Sequence, residues 1–124
     1  FISNVQITLA EQFGVEGRGR FYETVGALRD VVQNHLLQVM ALLAMEPPVA
    51  GDAAALGDER IKLFRQIRTV EHALVVRGQY RAGVAEGAAV PGYPEELGAA
   101  SRTETFVALK ADIANWRWAG VPFY

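Results

Sequence analysis

Arg29 to His35 read Arg-Asp-Val-Val-Gln-Asn-His, which puts an acid, two amides and an imidazole where a buried helix would prefer apolar groups. Asp30 and Asn34 are one α-helical turn apart and share a face, while His35 lies about 140° round from Asp30 at the helical step of roughly 100° per residue. The two side chains can line adjacent walls of one cleft. His35 precedes Leu36 and Leu37, so its ring emerges at an apolar border, where an imidazole is easily held neutral and ready to accept a proton. A lone histidine at such a border is more often a satisfied structural residue than a base, and pattern alone leaves both readings open. The other histidine, His72, lies between a helical and an extended stretch and reads as structural.

Two further clusters carry chemical potential. Glu16-Gly17-Arg18-Gly19-Arg20 has the look of a glycine-rich phosphate loop, but a dinucleotide fingerprint needs a third glycine at the position of Tyr22, and no βαβ unit opens there. Its glycines are better read as a sharp turn into a helix, with Arg18 and Arg20 pairing with acids or an anion. Trp116, Trp118 and Phe123 offer a stacking platform, although aromatics at this density more often form core or interface.

Apolar residues recur at helical spacing through Val25, Leu28, Val32, Leu36, Val39 and Leu43, which predicts one long helix over Tyr22–Glu46, ended by Pro47 and Pro48. Asp52 is the expected N-cap of a shorter helix that includes Leu56, Ile61, Phe64, Ile67 and Arg68, with Asp58, Glu59, Lys62 and Arg65 on its polar face. Alternation predicts a half-buried strand over Asn4–Leu9 and another around Phe106–Asp112; Leu74, Val75, Val76 and Tyr80 make Ala73–Tyr80 a further strand candidate, and an apolar run extends from Trp118 to Tyr124. Gly83–Ala100, rich in glycine, proline and alanine, predicts a loop. The fold class is therefore α+β, with a mostly antiparallel sheet packed against one long and one shorter helix, and incomplete at both ends. The start at Phe1, without an initiator Met, has the character of a cut edge inside a strand.

A chain of 124 residues supports one compact domain, and 51% apolar with 21% charged residues is ordinary for a globular protein. A formal net charge of -2 and a pI near 5.7 provide no broad positive field, which argues against nucleic-acid binding. The absence of cysteine excludes disulfides and thiolate chemistry and is compatible with a cytoplasmic location; two histidines make a histidine-rich metal site implausible. The longest nearly apolar run, Leu36–Met45, is much shorter than the roughly 20 residues of a membrane helix, so no membrane partner is expected.

Several stretches, taken in order, resemble the glucose-6-phosphate dehydrogenase family: Asn4–Thr8, Phe13–Gly19, Arg29–Gln38, Ala44–Pro48, Arg77–Tyr80, Thr105-Phe106 and Arg117–Phe123. Together they cover nearly the whole chain. The resemblance implies that residues 1–124 are the first part of that family's C-terminal, substrate-side domain, with the cofactor-binding domain absent. It implies that His35 is the general base, removing the C1 hydroxyl proton of glucose 6-phosphate while hydride leaves for NADP, and that Glu11 and Asp30 hydrogen-bond the sugar hydroxyls as acceptors. It also implies an enzyme of the pentose phosphate pathway, a homodimer or higher oligomer formed through the sheet, and NADP contacts lying outside this chain. The family's Asp-His-Tyr-Leu-Gly-Lys segment and its phosphate-binding lysines are not in this sequence, so the isolated chain is expected to be inactive. The alternative is a non-enzymatic self-association module that keeps the family's sheet.

Overall fold

The computed structural model describes every residue from Phe1 to Tyr124. The long helical stretch runs from Gly19 to Ala44 but is wound in three ways: α1 (Gly19–Ala27), a π-helical segment (Leu28–Leu36) and α2 (Leu37–Ala44). The break falls at Gly26, whose φ of 63° and ψ of 176° belong to a region essentially reserved for glycine. At the far end Met45 turns extended, two residues before the prolines.

Asp52 caps α3 (Ala53–Phe64) as expected, its Oδ1 accepting from the Ala55 N–H at 2.9 Å. Ile67 and Arg68 fall outside this helix, contrary to the periodicity. Ile67 instead bridges Ile113, and the Arg68 N–H donates to the Asp112 carbonyl at 2.9 Å, so strand pairing has taken both from the helix.

Strand β1 (Val75–Gly78) pairs antiparallel with β4 (Phe106–Leu109), placing Val76 opposite Ala108 and Gly78 opposite Phe106. Residues Gly83–Ala100 are not a loop. They form a hairpin of β2 (Gly83–Ala85) and β3 (Ala88–Val90), followed by the short helix α4 (Tyr93–Leu97). Glu86 and Gly87 take φ values of 50° and 82°, the paired left-handed conformation of a tight two-residue turn, and Gly98 at φ 74° ends α4. The antiparallel pairing is thus split between two small sheets. The segment expected as the first strand pairs only with the C-terminus: Val5 bridges Phe123 in parallel, and Phe123 also bridges Ala111.

The apolar core joins α2 and α3 to this C-terminal run through Met40, Ala41, Ala44, Leu63, Ala111, Ile113, Trp118 and Phe123. Trp118 stands edge-on to Phe123 with ring centroids 5.1 Å apart, and its indole N–H donates to the Ala44 carbonyl at 2.9 Å. That bond satisfies one of the carbonyls left open where α2 ends. No helix is long and apolar enough to cross a membrane.

A second centre packs α1 against α4 and the segment before β4. Tyr93 is fully buried and meets Tyr22 and Tyr80 edge-to-face at 5.9 and 5.7 Å. Its hydroxyl donates to Glu23 Oε2 at 2.7 Å, and the Ser101 hydroxyl donates to the same oxygen at 2.7 Å.

Candidate functional site

The chemistry-bearing residues gather where α1 breaks and the π-helical segment begins. Gly26 ends the first helical path, so Ala27 and Leu28 open a new one with unsatisfied N–H groups. Glu104 receives them: its backbone carbonyl accepts from Ala27 at 3.0 Å and its carboxylate Oε1 from Leu28 at 3.1 Å. Glu104 is buried, and a carboxylate at a helix N-terminus is stabilised by the aligned peptide dipoles. The same carbonyl accepts from the Tyr22 hydroxyl at 3.2 Å.

The winding of Leu28–Leu36 alters the geometry expected for Asp30 and His35. The Leu37 N–H donates to the Val32 carbonyl, the five-residue step of a π-helix, so residues five apart lie closer round the axis than in an α-helix. That winding narrows the angle round the helix between Asp30 and His35 from the wide offset of an α-helix, with Asn34 between them in sequence. Asp30 is half-buried, whereas Asn34 and His35 are exposed.

Glu11 lies on the exposed extended segment ahead of Gly14. That segment is pinned downstream, where the Glu16 N–H donates to Glu96 Oε1 at 2.6 Å and the Val15 N–H to the Tyr80 hydroxyl at 3.3 Å. Tyr22 feels the charges of both Glu11 and Asp30. Its pKa is pushed up to about 12, first by burial and then by the negative charges of Glu104, Asp30 and Glu11. Both carboxylates thus act on one phenol. Glu11, Asp30 and His35 take no part in the protein's own side-chain hydrogen bonds or ion pairs, which leaves two acceptors and an imidazole available to a polar ligand.

Other expected features fall elsewhere. The Glu16–Gly17 turn has φ values of 45° and 81° and leads into α1 with no parallel sheet behind it, so it is a turn and not a dinucleotide cradle. Trp116 is exposed, with the Arg117 guanidinium 5.4 Å from its ring centre, while Trp118 and Phe123 are core. His72 begins a short 3-10 turn before β1. A polar cleft of about 830 Å³, lined by Arg77, Arg81, Arg102, Glu95 and Glu104, contains none of Glu11, Asp30 or His35.

Tyr22 and Glu104 were not legible as site residues. Glu104 reaches Leu28 across 76 positions, a distance no local periodicity reports. Tyr22 carried a weak signal as a tyrosine at the helix entrance, indistinguishable there from packing.

The family described as "Glucose-6-phosphate dehydrogenase, C-terminal domain" matches residues 1–124. The chain belongs to the glucose-6-phosphate dehydrogenase family. The glucose-6-phosphate 1-dehydrogenase of Rhizobium meliloti (strain 1021) is 54% identical, covering 99% of this chain and 26% of that protein. The enzyme of the same name from Zymomonas mobilis subsp. mobilis is 53% identical over the same shares. Among solved structures, the Mycobacterium avium glucose-6-phosphate 1-dehydrogenase aligns with a TM-score of 0.86 at 54% identity, covering 98% of this chain and 26% of that one. A glucose-6-phosphate dehydrogenase in complex with its substrate glucose-6-phosphate aligns with a TM-score of 0.89 at 41% identity, over 98% of this chain and 25% of the other. The chain spans about a quarter of the length of these glucose-6-phosphate dehydrogenases.

Proposed function

We propose that this chain supplies the sugar-binding half of an NADP-dependent glucose-6-phosphate dehydrogenase site, oxidising glucose 6-phosphate to 6-phosphogluconolactone. His35 accepts the proton of the C1 hydroxyl, while Glu11 and Asp30 accept hydrogen bonds from other hydroxyls of the ring. The observation that carries this reading is that Asp30 and His35 share one nine-residue helical segment and that neither they nor Glu11 are engaged by the protein's own side-chain hydrogen bonds or ion pairs. Sugar hydroxyls are donors, and carboxylates free of internal donors suit them. The residues present do not fit the nicotinamide cofactor: the glycine turn at Glu16–Gly17 opens no βαβ unit and the paired strands are antiparallel. The proton is therefore this chain's share of the reaction, and the domain that binds the cofactor lies outside residues 1–124.

Mixing the purified chain with NADP and glucose 6-phosphate is expected to give no rise in NADPH absorbance. A rate that survives extensive purification would contradict the half-site reading.

A second reading, self-association, is favoured by one face of the β1–β4 sheet. Val76 and Phe106 lie on it 61% and 55% exposed, beside Ala108 and Leu74. A contiguous apolar sheet face suits a second copy of the chain, related by a two-fold axis. Analytical ultracentrifugation tests this, with a dimer expected.

A further inference from the structure

We infer that Glu104 is a positioning residue for the candidate base, seating the first turn of the π-helical segment so that Asp30 and His35 face the same ligand. The inference rests on the proposed sugar-phosphate site and assigns that site a device it has not had. Three bonds meet on this residue: Leu28 N–H to the carboxylate at 3.1 Å, and Ala27 N–H and the Tyr22 hydroxyl to the backbone carbonyl at 3.0 and 3.2 Å. Gly26 makes room for them. A Cβ there would lie 2.6 Å from Glu104 Oε1 and 3.0 Å from its Cδ, so the buried carboxylate can approach the helix start only because this position carries no side chain.

The consequence for the site is geometric. Asp30 is two residues beyond Leu28 and His35 seven, all inside the same nine-residue π-helical segment. That winding is rare, and it persists only where the surroundings over-determine it. Glu104 fixes the entry end, while α2, packed into the core through Met40, Ala41 and Ala44, fixes the exit. A segment held at both ends can keep the five-residue step that narrows the angle between Asp30 and His35. Released at the entry, it is free to rewind as an α-helix and swing Asp30 away from His35. Tyr22 belongs to the same device, since its hydroxyl is tied to the Glu104 carbonyl while its ring packs on Tyr93.

Amide hydrogen exchange and glucose 6-phosphate titration of the 124-residue chain, followed by NMR, test this with Glu104→Ala and Glu104→Gln. In Glu104→Ala, amides from Ala27 to Leu37 are expected to exchange more than tenfold faster while those of β1 and β4 stay unchanged, and the shift of the His35 ring signals on adding glucose 6-phosphate is expected to vanish. Glu104→Gln keeps an acceptor for Leu28 and loses only the charge. It is expected to retain the His35 response and raise exchange in that segment about two- to fivefold, which also decides the matter should the alanine variant not fold. Unchanged exchange in the segment, or a uniform rise across the chain, would overturn the inference. So would a full His35 response in Glu104→Ala. Absence of any His35 response in the wild-type chain would count against the sugar-phosphate reading, and the exchange pattern would still decide the role of Glu104.

Discussion

Gly26 and the tyrosines carry the most specific consequences at the scale of single residues. Gly26→Ala forces a side chain into a backbone region that L-residues avoid and into contact with the Glu104 carboxylate. The conformational strain alone is on the order of 1–3 kcal/mol. Urea unfolding is expected to show a loss of at least that size, and a variant as stable as the parent would remove the argument for a required glycine. The phenols give a pH dependence of definite sign. Tyr22 and Tyr80 are each raised to about 12, in both cases chiefly by burial, with Glu104 the next influence on Tyr22 and the Glu96 hydrogen bond the next on Tyr80. Unfolded phenols ionise near about 10, so between that value and about 12 the folded state binds more protons than the unfolded one. The stability linked to these groups is fully present below about pH 10 and is lost as pH rises toward 12. Unfolding midpoints measured across that window are expected to fall, and more steeply than in Tyr22→Phe. Glu23 behaves in the opposite sense. Its hydrogen bond from Tyr93, followed by that from Ser101, holds it below the usual carboxylate range, so its contribution is present at neutral pH and lost on acidification.

Among the elements, the contact between α2 and the C-terminal run holds one half of the chain together. Trp118→Phe keeps an aromatic ring against Phe123 but removes the donor to Ala44, leaving a buried carbonyl unsatisfied. A loss of about 1–3 kcal/mol follows from the hydrogen bond and the residual space combined, measurable by thermal or denaturant unfolding. These elements also show what the sequence makes legible. The Asp52 cap, the stop before Pro47, β1 and the centre of β4 were readable because each rests on local chemistry: a side-chain acceptor, a missing donor, a run of β-branched and apolar residues, or period-two alternation. The π winding was not readable, since its apolar residues fit an α-helical spacing, and the anchor that starts it is distant in sequence. The Gly83–Val90 hairpin was hidden because its strands are three residues each and Glu86 stands where Asn or Asp would have announced the turn. Within the candidate site, Asp30, His35 and Glu11 were nameable through the family resemblance. Tyr22, which feels the charges of Glu11 and Asp30, and the supporting Glu104 became visible only in three dimensions.

Taken whole, the molecule is underburied for its length. Only 15 of its 124 residues are buried, while large apolar side chains such as Val39, Leu42, Leu43, Val76 and Phe106 are half or more exposed. Surfaces of that kind are typical of interfaces. Association through the β1–β4 face is therefore expected, and Val76→Asp combined with Phe106→Asp should shift sedimentation toward the monomer without unfolding the α2–α3 core. The chain spans about a quarter of the length of each relative. Whether Glu11, Asp30 and His35 form a sugar-phosphate half-site is decided by titrating glucose 6-phosphate while recording the ring signals of both histidines. His35 is expected to shift saturably and His72, in its separate turn before β1, to stay fixed. Equal shifts at the two rings, or no saturable shift at His35, would contradict it.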